Sequence, residues 1–156
     1  MVQNAYITLA PGTIGLQLEL TAGPKVAGTI IAALDANGDR KVAQAEARAF
    51  ADRVLSASRL TVDGHPLSLR VVSADVPSYA ALLGAHGTIK IVATARWADR
   101  PGTSTLIYHN GYSPAESRCD ANIFMKQANS PSYRVIAQQR SDDGRSLVVR
   151  YATSRV

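Results

Sequence analysis

AYITLAPGTIGLQLEL, Ala5 to Leu20, carries two short runs of alternating apolar side chains: Ile7 and Leu9, then Leu16, Leu18 and Leu20. A period of two puts those side chains on one face of an extended chain, and Pro11-Gly12 between the runs supplies turn residues. The stretch therefore reads as a β-hairpin with one buried face. That reading sets the fold class, because the same alternation returns through most of the second half of the chain.

Directly after the hairpin the period changes. Past Gly23-Pro24, the residues Val26, Ile30, Ile31 and Leu34 fall at helical spacing and run into an acidic segment, DANGDRKVAQAE, Asp35 to Glu46. Gln44 to about Ser58 is rich in Ala, Glu and Arg, contains neither Gly nor Pro, and puts Phe50, Val54 and Leu55 on one face. The pattern predicts a helix entering the acidic segment and a helix leaving it.

In that segment oxygen-bearing side chains recur at alternate places. Asp35 stands at the first, Asn37 at the third, Asp39 at the fifth, and Glu46 closes the run. Calcium takes six to eight oxygens at about 2.3–2.6 Å, and this spacing lets three side-chain oxygens and a closing bidentate carboxylate converge as the chain curls. Lys41, at the seventh place, would give its backbone carbonyl, and Val42, at the eighth, would pack inward. The segment resembles the EF-hand calcium loop, over Val26 to about Ser58. The resemblance implies a Ca²⁺ site formed by Asp35, Asn37, Asp39, the Lys41 carbonyl and Glu46.

Two places depart from the family pattern. Ala43 at the ninth has no oxygen, so water would serve there. Arg40 occupies the sixth, where glycine is favoured because the sharp turn wants a positive φ that costs an L-residue about 1 kcal/mol or more. With these departures the expected affinity is weak, on the order of 10⁻⁴ to 10⁻³ M. Such a site fills only where calcium is abundant. Without an ion, the segment would be an acidic turn in which Glu46 favours the helix start through the dipole.

Strand character resumes at Leu60-Thr61-Val62. Asp63-Gly64 marks a tight turn, and Leu67, Leu69 and Val71 alternate after it as a second hairpin. Pro77 to Gly87 fits either a helical turn or a packed loop. Beyond Gly87 the signal is β throughout: Ile89, Ile91, Ala93, Ala95 and Trp97; Leu106 and Tyr108; Ile123 and Met125; Tyr133, Val135 and Ala137; Leu147, Val149 and Tyr151. The expected fold is mainly β: an antiparallel, immunoglobulin-like β-sandwich of about eight to nine strands. A helix-loop-helix is inserted over residues 24–58, and residues 1–156 form one domain.

Composition narrows the function classes. A hydrophobic share of 46% with 19% charged suits a globular protein rather than a disordered one. The net charge of +5 is dispersed, with Arg134, Arg140, Arg145, Arg150 and Arg155 along apparent strands, so no basic stripe points to nucleic acid. No run approaches the roughly 18 apolar residues of a membrane helix. The N-terminus lacks a basic start followed by an apolar run, so the expectation is either a cytoplasmic chain or one whose leader is gone.

Other chemistry has thinner support. Cys119, the sole cysteine, with Asp120 and His109 offers a thiol and possible partners, but no nucleophile signature surrounds them, and an enzyme of unknown class stands only as a third reading. His65, His86 and His109 adjoin turn residues without the spacing that sets two imidazoles on one face, and read as exposed. The tyrosines Tyr6, Tyr108, Tyr133 and Tyr151 read as sheet-face residues.

The order NAYITL, GLQLEL, the acidic helix-loop-helix and LTVDGHPLSLR, continued by TSTLIYHNGYSP and RSLVVRYA, resembles a bacterial family. That family is the hydrogenase/urease accessory membrane proteins, proposed nickel or cobalt permeases, and the likeness is to their extracytoplasmic N-terminal domain. The resemblance implies a periplasmic or extracellular module beside a membrane protein or an adjoining membrane segment. It carries over no nickel ligand. Its runner-up function is a receptor-like or metal-handling domain of a transport system, with a protein or transition metal as partner.

Overall fold

The computed structural model describes residues 1–114, 116–126 and 130–154. Arg155, one of the dispersed arginines, lies outside them. The opening hairpin forms as its alternation dictates: strand β1 (Val2–Ala10) pairs antiparallel with β2 (Thr13–Thr21), from Val2 opposite Thr21 to Ala10 opposite Thr13. Gly12 takes the turn with φ 72°, a left-handed value that favours glycine.

Helices α1 (Pro24–Leu34) and α2 (Gln44–Ser56) follow, then β3 (Ser58–Val62), β4 (His65–Pro66), β5 (Arg70–Asp75), helix α3 (Tyr79–Leu83) and β6 (Ile89–Arg96). The chain continues through β7 (Gly102–Asn110), β8 (Arg118–Met125), β9 (Tyr133–Arg140) and β10 (Ser146–Thr153). Two five-stranded sheets result, ordered β5-β6-β2-β1-β8 and β4-β3-β7-β10-β9. The fold is a β-sandwich with a helical insert. It carries ten strands among the described residues rather than eight or nine, and β1 and β8 run parallel within an otherwise antiparallel pair of sheets.

The apolar faces of most strands turn inward. Ile7, Leu9, Leu16, Leu18, Leu20, Ile89 and Ile91 from one sheet share a core cluster with Leu60, Val62, Leu106, Leu147 and Val149 from the other. Tyr108 and Tyr151 also point into this core and are almost wholly buried, whereas Tyr6 lies on the outer face beside Phe124. Val26, Ile30 and Leu34 of α1 and Phe50, Ala51 and Val54 of α2 belong to the same cluster. Helix α2 packs on β5 of one sheet and β3 of the other, and α1 packs on α3. The helical insert is thus fastened to the sandwich by its apolar stripes. No helix among the described residues is long and apolar enough to cross a membrane.

Three details depart from the sequence reading. Helix α2 stops at Ser56, because Ser58 already begins β3. The turn at Asp63-Gly64 forms, with φ of 50° and 79°, but its second arm is only His65–Pro66. Pro66 has no N–H to extend the ladder, so after Leu67 N–H donates to Leu60 O at 2.8 Å the chain leaves this sheet. Residues 70–75 then join the opposite sheet as β5, beside β6. The stretch left open at 77–87 contains α3, whose N-cap Ser78 accepts from Ala81 N–H at 3.2 Å.

Candidate metal centre

The acidic loop begins where α1 ends. Asp35 N–H still donates to Ile31 O at 2.8 Å, while the Asp35 side chain turns forward into the loop. Its Oδ1 accepts from Asp39 N–H at 3.1 Å and its Oδ2 from Arg40 N–H at 3.0 Å. Asn37 Oδ1 shares the Asp39 N–H at 3.1 Å, and Asp39 Oδ1 accepts from Lys41 N–H at 2.9 Å. Each of these three side chains thereby holds a later amide, and the chain coils around their oxygens.

Glu46 closes the ring from the first turn of α2. Its Oε1 accepts from Ala43 N–H at 3.0 Å and its Oε2 from Ala36 N–H at 2.9 Å, so one carboxylate ties the helix start to the loop start. Ala43 is the N-cap and has no side-chain acceptor, so Glu46 supplies the one reciprocal bond of a capping box that this helix can make. This double attachment was not foreseen from the sequence beyond a carboxylate favoured by the helix dipole. The spacing of Ala43 and Glu46, three residues apart, is the signal that could have revealed it.

One carboxylate oxygen from each of Asp35, Asp39 and Glu46 lies within 4.8 Å of the other two. Oxygens bound to one calcium at about 2.3–2.6 Å can be no farther apart than roughly 5 Å, so these three could share an ion. Among the described residues this is the sole group of three or more His, Cys, Asp or Glu side chains so placed. Asn37 and Lys41 are tied to Asp39 by hydrogen bonds, Asn37 through its side-chain oxygen and Lys41 through its N–H rather than its carbonyl. Val42 is half-buried against the core and anchors the loop there, and Ala43 is exposed with no side-chain oxygen to offer.

Arg40 adopts φ 63° and Gly38 φ 71°. The sharp turn at the sixth place is therefore present with an arginine in it. The Arg40 side chain is exposed, which keeps its cation free to turn toward solvent.

The remaining candidates do not assemble. Cys119 faces inward on β8 while Asp120 faces out, where it accepts from Ala121 N–H at 2.9 Å and pairs with Arg140 Nε at 3.7 Å. His109 is on the solvent side of β7, its Nδ1 2.7 Å from Ser146 Oγ. Burial pushes the Cys119 thiol above its ordinary range, against the pull of Arg145, and this disfavours the thiolate a nucleophile needs. The three histidines are all exposed and lie on separate segments: His65 beside Trp97 at 6.3 Å between ring centroids, His86 after α3, and His109 on β7. Comparison of the chain with protein-family models finds no match, and comparison with curated proteins finds none either.

Proposed function

We propose that this protein is an extracytoplasmic β-sandwich module whose helix-loop-helix binds calcium weakly, as a brace for the insert. The ligands are Asp35, Asn37, Asp39, the Lys41 carbonyl and Glu46, with water at the place of Ala43. The observation that carries this reading is the approach of the Asp35, Asp39 and Glu46 carboxylates to within 4.8 Å in a loop whose amides already hold them. Three anions at that separation repel one another, and a hard dication is the partner that reverses the sign.

Arg40 at the turn and the missing ninth-place oxygen put the expected affinity on the order of 10⁻⁴ to 10⁻³ M. That range suits a compartment rich in calcium, periplasmic or extracellular, and a structural rather than a signalling ion. The resemblance of the sequence order NAYITL, GLQLEL, acidic helix-loop-helix and LTVDGHPLSLR to the N-terminal domain of hydrogenase/urease accessory membrane proteins favours the same placement, with a membrane protein or adjoining membrane segment as partner.

Calorimetric titration with calcium tests the proposal. A saturable isotherm in the stated range, abolished by Asp35→Ala and strongly weakened by Glu46→Gln, is expected. Absence of saturable heat up to about 10 mM calcium, well above that range, sinks it.

A further inference from the structure

A second site of opposite charge lies on the far side of α2. The solvent side of that helix, the start of β5 and the end of β6 enclose an open groove of about 700 Å³. Arg48 and Asp52 come from α2, Arg70 from β5 and Arg96 from β6. Thr94 and Arg96 alternate with the buried Ala93 and Ala95, so both project from the outer face of the sheet. Arg70 stands opposite Thr94 across the strand pair, which sets its side chain on the same face. Arg48 Nη2 donates to Val71 O at 3.4 Å, beside the irregularity where the β5–β6 register shifts between Val71 and Ser73. That bond holds one guanidinium along the edge strand, in the groove that Arg70 and Arg96 also line.

Three arginines and a single carboxylate, Asp52, thus line one groove. Among the described residues the one ion pair within 4.0 Å is Arg140 with Asp120, so none of the three arginines has a carboxylate at salt-bridge distance. Dispersed arginines elsewhere on this surface aid solubility. Three from distant points of the sequence in one concave site concentrate positive potential where a ligand can enter. The planar fork of arginine matches oxyanions in two-point contact, and the Ser68 and Thr94 hydroxyls on the same wall add donors. The volume falls within the range of small-molecule sites, about 300–1,000 Å³, and exceeds what a lone oxyanion needs; Leu67 and Leu69 give the excess an apolar wall.

We propose that this groove binds a small phosphate monoester, the phosphate held by Arg70, Arg96 and Arg48 and the organic part resting on Leu67 and Leu69. The site is independent of the calcium loop and is tested in calcium-free buffer. Isothermal titration at low salt with inorganic phosphate and with glycerol 3-phosphate is the measurement. Arg70→Gln and Arg96→Gln serve as site variants, and Arg134→Gln on β9, outside the groove, as the control.

Each site variant should weaken phosphate binding about tenfold, the size expected for one charge-assisted contact. The control should leave it unchanged, and glycerol 3-phosphate should bind more tightly than inorganic phosphate. Both site arginines are exposed, so unchanged melting curves should accompany the loss. Titrations that do not saturate, or a loss as large in Arg134→Gln as in the site variants, overturn the proposal. Equal affinity for the two ligands overturns its organic subsite.

Discussion

The sandwich core and the acidic loop are built from opposite materials. Leu18 and Ile7 are fully buried and are held by apolar contact, an attraction with no direction that grows with the area removed from water. The loop from Ala36 to Ala43 is mostly exposed, and six hydrogen bonds from backbone N–H groups to the side-chain oxygens of Asp35, Asn37, Asp39 and Glu46 shape it. Burial makes the sandwich indifferent to ions. Charge makes the loop responsive to them, because the oxygens that hold its amides are the ones proposed to meet the metal.

The largest effect should come from the core. Leu18→Ala leaves a cavity between the sheets and should cost about 2–5 kcal/mol in urea unfolding, by the same amount with calcium or with a chelator. Asp35→Ala should cost less with the chelator, about 1–2 kcal/mol for two lost backbone contacts, and more with calcium present. A calcium-dependent cost for Leu18→Ala, or a calcium-independent cost for Asp35→Ala, would break the contrast.

Arg40→Gly sharpens it from the other direction. A left-handed φ costs an L-residue about 1–2 kcal/mol, and glycine gives back about 0.5–1 kcal/mol through the entropy of the unfolded chain. A net gain of about 0.5–1 kcal/mol in thermal or urea unfolding is therefore expected, with tighter calcium binding because a cation leaves the loop. A loss of stability would mean that the Arg40 side chain holds something its φ of 63° does not reveal.

How much of this was readable from the sequence follows the same division. The hairpin and the β6 alternation were legible because a period of two fixes which side chains share a face, whatever packs against it. The loop's geometry was legible because alternate oxygen-bearing side chains turn to one side of a local curl, and Asp35, Asp39 and Glu46 do come together. What escaped depended on distant parts of the chain. The parallel pairing of β1 with β8 joins Val2 to Arg118, and no local pattern encodes that partner. The passage of β5 to the opposite sheet was hidden by Leu67, Leu69 and Val71, which alternate as though they continued one strand. The arginine groove escaped for the same reason, since Arg48, Arg70 and Arg96 are neighbours only after α2, β5 and β6 have packed.

The smallest effect expected lies where a polar group of the core meets no clear partner. The hydroxyls of Tyr108 and Ser58 are buried near one another, and neither makes a well-formed hydrogen bond. A buried hydroxyl without a good partner contributes little or opposes folding, so Tyr108→Phe should change stability by less than about 1 kcal/mol at neutral pH. Alkali should separate the two proteins. Burial pushes the Tyr108 pKa up to about 12, and mainly burial does the same for Tyr151. In the unfolded chain both tyrosines titrate near about 10. The folded state therefore holds their protons more tightly: this contribution is complete below about pH 10 and is lost as pH rises toward about 12. Tyr108→Phe removes one of these raised groups, so the variant should lose less stability than the natural protein between about pH 10 and about pH 12. Parallel losses would show that the Tyr108 hydroxyl reaches solvent or a partner on deprotonation, and that this part of the core is as responsive to charge as the loop.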